Sequence, residues 1–114
     1  MGKRREIYAI DFDGTLCAND NYPNIGTPNL KLIERLKQLK EDGQILILWT
    51  CRGGKPLEDA VEWCKSYGLE FDYVNDNAEH MVKFFGNNNR KIFANYYIDD
   101  RMLDCSDYNV PFKE

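Results

Sequence analysis

The chain is poor in the residues that hold soft metals. His80 is its only histidine, and the four cysteines, Cys17, Cys51, Cys64 and Cys105, include no CxxC pair, which excludes a zinc site of the usual spacing. Export is not expected, because the apolar stretch after Lys3, Arg4 and Arg5 is cut short by Asp11 and Asp13. The basic trio therefore reads as a solvated tail, the cysteines as free thiols of a reducing compartment, and the expected location is cytoplasmic. Long hydrophobic runs are missing too. The longest, residues 45–49, falls far below the roughly 20 residues a membrane-crossing helix needs, so no membrane partner is expected. Positive charge is not in excess: 15 Lys and Arg stand against 19 Asp and Glu, a net charge of −4. That balance argues against an extended nucleic-acid surface, since such binding draws most of its affinity from neutralising phosphates. The sequence contains no repeat, and its only low-complexity tract is Asn87, Asn88 and Asn89.

What is present suits one globular domain spanning residues 1–114, with 43% hydrophobic and 30% charged residues. Short apolar runs at 6–10, 44–49, 69–74 and 95–98 predict strands. Between them, Leu32, Ile33, Leu36 and Leu39 recur at helical spacing, with Thr27 as the expected cap, Pro28 at the first helical position and Gly43 near the end. A second helix starts at Pro56, carries Leu57, Ala60, Val61 and Cys64 on one face and stops at Gly68. A third, shorter one covers 78–85, followed by a turn over 86–89. Strands alternating with helices predict the α/β class: a three-layer, Rossmann-like parallel sheet of about four strands with helices on both faces. Trp49, Trp63, Phe84, Phe85, Tyr96 and Tyr97 read as core and packing surface.

Ligands of such sheets bind beyond the carboxyl ends of the strands, so the residues just after each apolar run carry the chemistry. After the first strand come Asp11, Asp13, Gly14 and Thr15; after the second, Thr50 and Arg52; before the last, Lys91; after it, Asp99 and Asp100. Asp11 and Asp13, two apart in extended chain, bring like charges together, and a cation relieves them. With Asp99 and Asp100 they form an all-oxygen donor set that favours a hard ion such as Mg²⁺. Such an ion keeps positions open for phosphate oxygens. Lys91 offers that anion a point charge, Thr50 a hydroxyl, and the amides from Phe12 to Gly14 a small nest. Arg52 is a candidate substrate contact, and Arg101 a structural partner for the nearby carboxylates.

DFDGTL at 11–16 resembles the first motif of the haloacid dehalogenase superfamily in its phosphatase form. Thr50, closing ILILWT, is similar to the second motif, Lys91 fits the motif-three lysine better than Lys83, and YYIDDR with Asp99 and Asp100 resembles the fourth. The resemblance spans residues 7–101. It implies a Mg²⁺-dependent phosphatase acting on a small phosphorylated substrate in two steps, with Asp11 as nucleophile and Asp13 as acid and then base. It also implies a metal held by Asp11, Asp13 and one or both of Asp99 and Asp100. No stretch is long enough for the cap domain that many relatives insert. The competing expectations are a catalytically silent binding protein of that fold and a receiver-like module that accepts phosphate on an aspartate.

Overall fold

The computed structural model describes residues 5–101; Lys3, Arg4 and Cys105 lie outside them. Four short strands, β1 (Ile7–Ile10), β2 (Ile45–Leu48), β3 (Tyr73–Val74) and β4 (Tyr96–Ile98), alternate with three helices, α1 (Leu30–Glu41), α2 (Gly54–Ser66) and α3 (Glu79–Phe85). All strand pairs are parallel and the order is β3-β2-β1-β4. This is the expected Rossmann-like α/β fold, in which neither the 11–29 connection nor the α2 crossover holds an inserted domain.

The order follows from handedness. The crossovers β1→β2 and β2→β3 step the same way across the sheet, so right-handed connections put α1 and α2 on one face; the return from β3 to β4 steps the other way and puts α3 on the opposite face. Alternation along the strands supplies a core to each side. Ile10, Leu46 and Leu48 pack with Ile33, Leu36 and Leu39 of α1 and Ala60 and Cys64 of α2. Ile7, Ala9, Ile45 and Ile47 pack on the other side with Ala78, Ile92 and Ala94. The β2 strand is buried at all four positions, the pattern of a strand covered on both faces. Leu36 is fully buried in the first cluster, and Leu36→Ala would cost about 2–5 kcal/mol.

Several local expectations are corrected. The α1 cap is Asn29, not Thr27: its side chain accepts from the Leu32 amide at 3.2 Å and donates to the Thr15 carbonyl at 3.1 Å. Pro28 stays outside the helix, in a bridge with Cys17. The third strand shrinks to two residues, Tyr73 and Val74, while Leu69 ahead of it is buried in the core. Phe84, Phe85, Tyr96 and Tyr97 are 77%, 50%, 48% and 37% exposed, so they are packing surface rather than core: Tyr96 stacks on Tyr8, Tyr97 leans on Trp49, and Phe85 touches Phe84 and Phe93. Trp49 and Trp63 do pack against the two clusters. Cys17, Cys51 and Cys64 are free thiols, of which only Cys51 is exposed. Among the described residues no helix is long and apolar enough to cross a membrane.

Candidate functional site

The chain runs outward from β1 through β2 to β3 and then crosses back to β4 on the other side of β1. The reversal leaves a crevice at the carboxyl ends of β1 and β4, the point at which open α/β sheets bind ligands. Asp11 follows β1 there, and Asp99 and Asp100 follow β4. The ladder continues one step past the strands, since the Asp11 amide donates to the Ile98 carbonyl at 2.9 Å. That bond holds Asp11 beside the acidic pair, although the residues are far apart in the chain.

One carboxylate oxygen from each of Asp11, Asp99 and Asp100 lies within 4.8 Å of the other two. Mg²⁺ binds oxygens at about 2.0–2.1 Å, which sets its opposed ligands about 4.2 Å apart, so the three need only small adjustments to share one ion. The donor set is all oxygen and suits a hard cation. Burial pushes the Asp11 carboxyl up to about 6, the Asp99 and Asp100 charges add to the rise, and the Phe12 amide, donating to Asp11 Oδ1 at 2.8 Å, opposes it. A group strained in this way is one that a cation would relieve. Gly14, at φ +84°, makes room for the cluster: a Cβ there would sit 2.2 Å from Asp100 Oδ2. Only glycine tolerates both that backbone and that approach.

The remaining predicted residues divide. Thr50 lines the same cleft, of about 630 Å³, as Asp11, Asp13 and Asp99. Its amide is held by Asn75 Oδ1 at 2.8 Å and its Oγ1 accepts from the Arg52 amide at 3.1 Å, leaving the hydroxyl proton to donate. The amide nest is corrected. Phe12 N–H is taken by Asp11 and Gly14 N–H by the Cys17 carbonyl at 2.8 Å, so Phe12 and Gly14 shape the loop rather than offer donors. Asp13, expected as a metal ligand, stands apart from the three-acid cluster, and both of its oxygens accept from Arg52, at 2.8 Å each. For the same reason Arg52 is no free substrate contact: it is 3% exposed and its charge is already paired.

Lys91 does not enter the cleft. It is exposed and lines a neighbouring cavity with Phe85, Phe93 and Tyr97. Its neighbours Arg90 and Ile92 line both cavities. Arg90, paired with Asp76 at 3.1 Å, is a cation of the cleft that the sequence did not single out, and Arg101, expected as a structural partner for the carboxylates, lines it as well. Asn75 was also missed. It has a positive φ of 50°, and its place directly after the third apolar run was the available signal. Lys83 pairs with Glu79 on the exposed face of α3.

No family model and no curated protein matches the chain. A solved structure does: that of a conserved protein coded by a locus from Bacteroides thetaiotaomicron, with 38% sequence identity and a TM-score of 0.75 over 88% of this chain and 79% of that one.

Proposed function

The chain belongs to the family of that conserved Bacteroides thetaiotaomicron protein, and for this fold and its acidic rim we propose a Mg²⁺-dependent phosphatase acting on phosphate monoesters. The observation that carries the proposal is the convergence of Asp11, Asp99 and Asp100 at the switch point of the sheet, with Thr50 on the wall of the same cleft. The resemblance of DFDGTL and YYIDDR to haloacid dehalogenase phosphatases agrees with that convergence and supplies the roles.

Asp11, Asp99 and Asp100 would hold Mg²⁺, which supplies Lewis-acid neutralisation of phosphoryl charge when bound. The Asp11 oxygen that Phe12 does not engage attacks phosphorus. A bond from that oxygen to phosphorus forms, giving an acyl phosphate, the bond to the leaving oxygen breaks, and Asp13, protonated on entering this step, gives that oxygen its proton. Water then attacks the aspartyl phosphate, Asp13 takes its proton, and the Asp11 carboxylate and inorganic phosphate are restored. The Thr50 hydroxyl donates to a phosphoryl oxygen, and Arg90 supplies the positive charge that the sequence placed on Lys91. Proton transfer by Asp13 accounts for about 10²- to 10⁴-fold in rate.

A panel of phosphorylated metabolites, with and without Mg²⁺, tests the proposal. Phosphate release should require Mg²⁺ and vanish in Asp11→Asn. Silence across the whole panel favours a binding role, and release that ignores Mg²⁺ contradicts the metal assignment.

A further inference from the structure

Arg52 is the most heavily engaged polar side chain of the cleft. Its Nε and Nη2 form a two-bond fork on Asp13, at 2.8 Å each, and its Nη1 donates to the Pro23 carbonyl at 3.1 Å and the Pro56 carbonyl at 3.2 Å. The guanidinium lies between the Phe12 and Tyr22 rings, 5.0 Å from each centroid. A buried charge is costly unless it is paired and hydrogen-bonded, and here every feature of a guanidinium is used: the fork, the flat faces and the charge. The Asp13 hydrogen bond is the leading cause of a raised Arg52 pKa. One side chain thus joins the loop after β1, the 17–28 loop and the first turn of α2.

We propose that Arg52 is a positioning residue, which holds the Asp13 carboxylate and the Tyr22–Pro23 turn in one arrangement and so shapes the leaving-group end of the substrate site. The role rests on the phosphatase reading. A carboxylate has about four lone-pair positions, of which the fork takes two, so a proton can sit on a third and pass to the leaving oxygen while Arg52 stays in place. Fixing the carboxylate matters because misplacement of a reacting group by about 1 Å can cost 10²-fold in rate. Tyr22, 57% exposed and on the cleft wall, is held by the same guanidinium and gives the leaving group a ring to lie against. The effect belongs to the chemical step and to substrates that need an acid.

The test measures kcat and KM with Mg²⁺ on ethyl phosphate, a poor leaving group, and nitrophenyl phosphate, a good one. Arg52→Gln should lower kcat on ethyl phosphate by about 10²-fold and on nitrophenyl phosphate by less than about tenfold, with KM little changed. Arg52→Lys, which keeps the charge and an alkyl stem between the rings, should not restore the loss because it lacks the fork. Asp13→Asn combined with Arg52→Gln should be no slower on ethyl phosphate than Asp13→Asn alone. Equal losses on both substrates, full rescue by lysine or multiplying losses in the double variant would each overturn this role alone. A wild-type protein that releases no phosphate would overturn the phosphatase reading and this role together. Circular dichroism identifies folded variants, and if Arg52→Gln does not fold, Arg52→Lys carries the comparison.

Discussion

Replacing Asp11 by asparagine should stabilise the metal-free protein while removing its response to Mg²⁺. Burial and the two neighbouring acids raise the Asp11 carboxyl from 3.8 to about 6. At about 1.4 kcal/mol per pH unit this is a ceiling of about 3 kcal/mol, and screening at a part-exposed side chain reduces it to about 1–2 kcal/mol. The sign follows from proton binding. The folded state holds the Asp11 proton more tightly than the unfolded one, so ionisation costs stability: the cost is absent below about pH 3.8, grows as pH rises, and is complete above about pH 6. An uncharged amide in its place avoids that cost. With about 4–8 °C per kcal/mol for a domain of this size, Asp11→Asn in chelator should melt roughly 4–16 °C above wild type at neutral pH. The two should converge near about pH 4. Adding Mg²⁺ should reverse the order, since an ion at about 100 times its dissociation constant stabilises by about 2.7 kcal/mol and asparagine removes one of its anionic ligands. Thermal melts across pH, with chelator and with Mg²⁺, decide it. A metal-free Asp11→Asn protein less stable than wild type at neutral pH, or equal Mg²⁺ shifts in both, would refute the reasoning.

Four further outcomes are expected. Gly14→Ala places a Cβ 2.2 Å from Asp100 Oδ2 on a backbone with φ +84°, and should cost about 1–3 kcal/mol and weaken Mg²⁺ binding, both readable by calorimetry. Asn29→Ala removes the α1 cap and should cost about 0.5–2 kcal/mol in urea unfolding while leaving kcat unchanged. Arg90→Gln should raise KM for phosphate esters and Lys91→Gln should not; the reverse result would return the phosphate-facing cation to Lys91. Without saturating Mg²⁺, catalysis by an ionised Asp11 should fall as pH drops through about 6, and saturating Mg²⁺ should move that fall to lower pH, because a cation favours the carboxylate form.

Much of the fold was legible because its cues are local. The runs IYAI and ILIL, the Leu32, Ile33, Leu36 and Leu39 spacing and Gly68 at the end of α2 each report on a few neighbouring residues. The acids after β1 and β4 were legible in the same way, since position beyond a parallel strand implies the sheet rim. What was not legible depends on contacts between distant segments. Arg52 and Asp13 are 39 residues apart, and no local pattern announces that this guanidinium will pair with that carboxylate. Thr27 and Pro28 make a plausible helix start, but Asn29 reaches both Leu32 and Thr15 and so moves the boundary. Lys91 and Arg90 are neighbours in the chain, yet of the two only Arg90 lines the acidic cleft.

The claim at the centre of the account is that Asp11 carries the phosphoryl group. Acid quenching of the protein during turnover of an aryl phosphate with Mg²⁺, followed by peptide mass analysis, tests it most directly. A phosphoryl adduct on the peptide that contains Asp11, more abundant in Asp13→Asn where water is activated poorly, is the result expected. Turnover without any adduct there, or an adduct on another residue, would contradict it.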